Sequence, residues 1–216
     1  MKPKPVCEIT AMEVDRLSEE HLFRFWMEKM PESRRVKTNS LRSAESQRLS
    51  LGVGILLFRA LQRRGIDGTR AEIREGEYGK PFLTETPEIH FSLSHAGNWA
   101  LCAVSGQPLG CDVERTGRAD RRIPGRFFHP EEQAALAALK KPEEWEQLFG
   151  RIWTRKESYL KAVGRGLSLP MGSFSVLGPP EGVWYDQTDL AEGYAFSCCV
   201  LGEERPRFSW KTETLE

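Results

Sequence analysis

The sequence has no apolar run long enough to cross a bilayer. The longest is LGVGILLF at 51–58, far short of the ~20 residues a spanning helix needs. It has no net charge either: 31 basic and 31 acidic residues give +0. General nucleic-acid or membrane-surface binders are usually basic, so neither is an expected partner. The N-terminal MKPKPVCEIT carries two lysines but no apolar h-region, so no signal peptide is expected. The five cysteines, Cys7, Cys102, Cys111, Cys198 and Cys199, are odd in number and form no C-x-x-C. That argues against a disulfide framework or a zinc site and for the thiols of a cytoplasmic protein. The four histidines are scattered, with no H-x-x-x-H pair, and no G-x-S-x-G elbow is present.

What the chain does have is enough length and apolar residue to fold. It has 216 residues, 39% hydrophobic and 29% charged, as expected for one generous globular domain or two small ones. VCEITAM (6–12) reads as a first strand. SEEHLFRFWMEKM (18–30) reads as a short helix capped by Ser18, and AESQRLSLGVGILLFRALQRRG (44–65) as a longer one stopped at Gly65. IHFSLSHAGNWALCAVS (89–105) has two alternating runs around AGN, which predicts a hairpin. LGCDVER (109–115) predicts a strand. Helices are expected over 126–141, with Pro130 as a first helical residue, and over 142–164. Strands are expected near 173–177, 194–201 and 207–213. Helices and strands intermixed, with hairpins rather than regular βαβ units, predict an α+β fold. The Gly-, Pro- and charge-rich stretch 106–125 is the expected junction between two halves, 1–108 and 109–216.

Three short stretches could carry chemistry. In GCDVE, alternation puts Asp112 and Glu114 on one face of a strand end. Two carboxylates there repel unless they are solvated or hold a cation, and Mg²⁺ suits such oxygen ligands. In WTRKESYLK, Glu157 lies at the margin of the apolar stripe of a helix and Lys161 one turn on. By spacing alone that is an ordinary i,i+4 ion pair worth ~0.2–0.5 kcal/mol. In FSLSHAG, His95 follows an alternating strand with Ser92 and Ser94 on one side. Lys80 in YGKP and the group Arg34, Arg35, Lys37, Arg42 and Arg48 read mainly as solvated cations, part of which could meet an anion.

Their order and company say more than each alone. The series Y-G-K-P, F-S-L-S-H-A-G-N-W, G-C-D-V-E-R, F-F-H-P-E-E, W-T-R-K-E-S-Y-L-K-A-x-G-x-G-L resembles the Sfp-type 4′-phosphopantetheinyl transferases, over about residues 30–177. The resemblance implies two similar α+β halves about a pseudo-twofold axis, with the active site in the cleft between them. It implies transfer of the phosphopantetheine arm of coenzyme A to a serine of an apo acyl, peptidyl or aryl carrier protein, with release of adenosine 3′,5′-bisphosphate. It implies Mg²⁺, with Mn²⁺ as a substitute, and a monomer.

Residue by residue, the resemblance implies Asp112, Glu114 and Glu157 as metal ligands. Lys161 would meet a diphosphate oxygen or assist the leaving group. Ser94 and His95 would meet CoA phosphate, Lys80 the nucleotide side, and Arg48 the 3′-phosphate. The proton acceptor is left between Glu157, Glu132 and a metal-bound water. Two lysines that some members carry in the segment matching PESRRVK are Ser33 and Val36 here; Arg34, Arg35 or Lys37 are the candidates to replace them. Val113, between the two acids, supplies no ligand. The competing readings are a CoA- and carrier-binding homologue without turnover, and a Mg²⁺-dependent phosphodiesterase.

Overall fold

The computed structural model describes residues 4–117 and 119–215. Its architecture is α+β, in four layers: helix, sheet, sheet, helix. β1 (Val6–Glu13) starts the chain, followed by α1 (Glu20–Lys29), α2 (Glu32–Asn39) and α3 (Ala44–Gln62). Ser18 does not cap α1. It sits in a 3₁₀ turn and its hydroxyl donates to Asp15 O. Ser43 caps α3 by accepting from Ser46 N, and Gly65, at φ +74°, turns the chain just past its end. α2 has no strong apolar stripe and was not expected. It packs on α3 through the buried Thr38–Ser50 hydroxyl pair at 2.9 Å.

Two short strands, β2 (Ile73–Glu75) and β3 (Pro81–Leu83), pair around YGK. The expected hairpin follows as β4 (His90–Ala96) and β5 (Trp99–Ser105), joined by Gly97-Asn98 with Gly97 at φ +54°. The first sheet has the order β4-β5-β1-β9. β9 (Arg207–Thr212) comes from the far end of the chain and lies parallel to β1. The second half of the chain thus closes the sheet of the first. β6 (Leu109–Arg115), β7 (Val183–Thr188) and β8 (Tyr194–Leu201) form the second sheet, in the order β6-β8-β7.

Alternation decides which residues join which core. On β1 and β5, Cys7, Ile9, Ala11, Leu101 and Ala103 face the second sheet and meet Cys111, Val113, Phe196 and Cys198. Met12, Ala100, Cys102 and Val104 face α3, which presents Leu49, Val53, Leu56 and Leu57. Fully burying one such aliphatic side chain is worth ~1.5–3 kcal/mol. On the outer face of the second sheet lies α6 (Pro142–Val163), capped at its C-terminus by Gly164 at φ +75°.

The helix expected to begin at Pro130 does so, as α5 (Pro130–Ala137), and a short α4 (Ile123–Phe127) that was not expected precedes it. His129 precedes Pro130 and is extended, which breaks the run. The strand expected near 173–177 is absent; Met171–Ser173 is a 3₁₀ turn and the chain beyond it is irregular. Its backbone is claimed by side chains instead of a neighbouring strand. Lys156 donates to Met171 O and Phe174 O, and Glu132 accepts from Val176 N. β7 was missed. Its residues are mostly half-buried, and VWYDQT carries three polar residues in its last three positions.

Candidate active site

The site lies where β4, β6 and α6 meet. Close approach of α6 to β6 depends on Gly110. A Cβ there would fall onto Ser158 O and Ala162 N of the helix and 2.7 Å from Lys161 Cβ. The glycine of G-C-D-V-E is therefore what lets Asp112 and the end of α6 share one place. Asp112 is 3% exposed. Its Oδ1 accepts from Lys161 Nζ at 2.7 Å and from Ser94 Oγ at 2.8 Å. Lys161 Nζ also donates to Ser94 Oγ at 3.0 Å and to Cys111 O at 3.1 Å. Ser94 Oγ accepts in turn from Val113 N, and Ser92 Oγ from Cys111 N. The two serines thus tie β4 to β6 through side chains, since the strands belong to different sheets and share no ladder.

Two more carboxylates sit around this cluster. Glu114 is pushed up to about 7, first by burial and then by the charge of Asp112, with Glu157 adding to it. Lys161 and a hydrogen bond from the Trp153 side chain oppose the rise. Glu157 is also raised, by burial and then by Asp112, against the pull of Lys161. Lys161 is itself raised by Asp112 and its other anionic neighbours, against its own burial. One ammonium therefore faces three acids, and mutual repulsion remains.

The group fits the chemistry of a divalent cation. Asp112 Oδ2 is buried and has no hydrogen-bond partner, and three hard oxygen donors carry more negative charge than Lys161 balances. Their spacing is not yet that of ligands: among the described residues no group of three or more His, Cys, Asp or Glu is positioned to hold a metal ion. Lys161 holds the Oδ1 side of Asp112.

His95 projects to the opposite side of β4 from Ser94 and is exposed. Partial desolvation lowers its pKa, and the charges of Lys161, Lys37 and Arg34 lower it further. Those three cations mark an anion-attracting surface around His95, beside the carboxylates. The Arg34 stem packs over Gly54 of α3, where a Cβ would come within 3.1 Å of Arg34 Cγ. Arg34 and Lys37 are the members of the basic α2 segment whose charges act on His95. Arg48 lies half-buried in the second turn of α3.

Other expected residues are engaged elsewhere. Lys80 Nζ donates to Leu109 O at 3.2 Å and Ala162 O at 2.8 Å, clipping the start of β6 to the end of α6. Burial lowers it to about 8. Glu132 is 0% exposed. Its Oε2 accepts from His129 N, closing the α5 capping box, and from Lys156 Nζ at 2.8 Å, while Oε1 takes Val176 N. Both oxygens are occupied and out of solvent, so Glu132 serves to join α5, α6 and the 171–176 turn. Lys156 was overlooked in the sequence, where it reads as one more helix lysine. It is fully buried and packs its ammonium over Phe174 at 4.3 Å. The available signal was H-P-E-E, an acid three residues after a helix start.

Three carboxylates and a lysine thus share one place, with the charges of Arg34 and Lys37 close by at His95. The family model described as the 4′-phosphopantetheinyl transferase superfamily matches residues 108–208. The 4′-phosphopantetheinyl transferase Sfp of Bacillus subtilis (strain 168) is 37% identical over 172 residues, 78% of this chain and 75% of that protein. The transferase gsp of Aneurinibacillus migulanus is 32% identical over 201 residues, 88% of this chain and 82% of that protein. A further Bacillus subtilis 4′-phosphopantetheinyl transferase is 38% identical over 132 residues, 61% of this chain and 58% of that protein. The chain belongs to the 4′-phosphopantetheinyl transferase superfamily.

Proposed function

We propose that the cleft at Asp112, Glu114, Glu157 and Lys161 performs the transfer for which the family is named. The phosphopantetheine arm of coenzyme A passes to a serine of an apo acyl, peptidyl or aryl carrier protein. The observation that carries this reading is the Asp112–Lys161–Ser94 cluster flanked by two further acids. His95, Arg34 and Lys37 hold CoA phosphate at the cationic rim, with Arg48 behind them. The serine Oγ bonds to the phosphorus bearing the pantetheine arm. The bond from that phosphorus to the bridging oxygen breaks, and adenosine 3′,5′-bisphosphate leaves. Glu157, the half-buried acid on the cleft wall, takes the serine proton. Asp112, Glu114 and Glu157 would hold Mg²⁺, or Mn²⁺, which when bound supplies positive charge against the phosphate oxygens. Ser94 keeps Asp112 in place, and Lys161 keeps positive charge at the same point.

In this reading residues 1–108 form the CoA nucleotide side and 109–216 carry most of the acids, within a monomer. All five cysteines are free and buried, and no helix among the described residues is long and apolar enough to cross a membrane. Both suit work in the cytoplasm. The test is mass spectrometry of an apo carrier protein incubated with the enzyme, CoA and Mg²⁺. Gain of one phosphopantetheine mass supports the proposal. CoA binding with an unmodified carrier supports a homologue without turnover.

A further inference from the structure

On the far side of α6 from the acids is a cavity of about 400 Å³. Arg151 and Arg155, one helical turn apart, form one wall, and Tyr185, Asp186 and Asp189 of the β7 edge form another. Arg205, from the turn before β9, also lines it and is exposed. At ~100° per residue the two α6 arginines project roughly 120–160° away from Glu157, so this is not part of the transfer cleft. The volume falls within the range of ligand sites, and three arginines line it.

The acids present do not use up those donors. Asp189 reaches Arg151 only at 3.5 Å, in an exposed pair. Asp186 Oδ2 is taken by the Trp210 indole N–H at 2.7 Å. Arg155 is held in a fixed pose, its Nη1 on Val176 O at 3.2 Å and its guanidinium 5.6 Å from the Tyr185 ring. Its Nε is buried and has no acceptor. Burial lowers the Arg155 pKa, so part of its hydration is already lost. An unmet buried donor on a charged group is costly, and a guanidinium meets a carboxylate or a phosphate through a fork of N–H donors.

We propose that the Arg151–Arg155–Arg205 cavity is a second binding site, for a small oxyanion such as a phosphate or a carboxylate. The guanidinium of Arg155 is its fixed point, and Arg205 meets the same ligand. Tyr185 and Trp210 keep the back of the cavity rigid.

The two indoles give separate reporters: Trp210 donates to Asp186 at the cavity, and Trp153 lies against Glu114 in the transfer cleft. Titrating inorganic phosphate, and separately citrate, into ¹⁵N-labelled protein is expected to move the Trp210 indole resonance along a saturating curve. Phosphate acting alone assigns the site to phosphate, citrate acting alone to carboxylates, and both to oxyanions in general. Arg155→Gln is expected to weaken that response about tenfold. Arg205→Gln, at an exposed position, is expected to weaken it without touching the fold. No saturating movement of Trp210 with either anion overturns the proposal. So does an unchanged response in Arg205→Gln and in folded Arg155→Gln.

Discussion

Ser94, on a strand of one sheet, donates a 2.8 Å hydrogen bond to Asp112, on a strand of the other. The same hydroxyl accepts from Lys161 Nζ and Val113 N, so one small side chain orients both the acid and the lysine. Ser94→Ala should leave Asp112 and the Val113 N–H each short of a partner. The expected result is a loss of about 1–2 kcal/mol in stability and about a tenfold fall in turnover, with the KM for CoA little changed. Steady-state transfer assays with a thermal unfolding scan check this. A raised CoA KM at unchanged turnover would mean that Ser94 meets the substrate directly.

Gly110→Ala should be among the most damaging single substitutions. The added methyl would strike Ser158 O and Ala162 N, which are helix backbone and cannot turn aside. Overpacking of this kind costs ~1–3 kcal/mol or more, and it moves Lys161 away from Asp112. Gly125→Ala is the control, since nothing lies within 4 Å of a Cβ there. Urea unfolding of the two variants should separate them clearly; equal stability would show that α6 can slide over β6.

The Lys156–Glu132 pair gives a test of roles. Both side chains are 0% exposed, and removing one partner of such a pair costs ~3–5 kcal/mol. Glu132→Leu and Lys156→Met are each expected to unfold several degrees early. The double variant should recover part of the loss, because no lone charge is left buried. If Glu132 were the proton acceptor, its replacement would instead stop turnover at nearly normal stability.

Lys80 makes a pH prediction whose sign is fixed. Burial lowers its pKa from 10.5 to about 8, so between those values the unfolded chain binds more protons than the folded one. Folding then strengthens as pH rises. The cost of the buried charge is fully present below pH 8 and is relieved above it. The stability of the wild type minus that of Lys80→Met should therefore increase from pH 7.5 to 10, as measured by urea unfolding. A flat or falling difference would mean that Lys80 is not desolvated.

The sequence made the α+β class, the β4–β5 hairpin, the GCDVER strand and the long C-terminal helix readable, because each rests on local periodicity and a glycine or proline at its end. The acids and Lys161 were readable as a group through the order of motifs, not through spacing. What stayed hidden depends on distant contacts. The stretch 173–177 looked like a strand because the side chains that hold the backbone there, Lys156 and Glu132, lie up to 44 residues away. Ser94 looked like a ligand residue beside His95, yet alternation along β4 turns the two to opposite sides. Lys80 looked like a free cation, and two carbonyls from other elements hold it.

The most direct measurement compares the wild type with Glu157→Gln in single turnover. An apo carrier protein is mixed with excess enzyme, CoA and Mg²⁺, and the carrier mass is followed. The amide keeps the size of the side chain but cannot take the serine proton and is a poorer donor to a cation. The expected result is full conversion of the carrier by the wild type and almost none by Glu157→Gln, with both proteins folded and both binding CoA. Conversion by Glu157→Gln at the wild-type rate would contradict the assignment of the transfer site to these three acids.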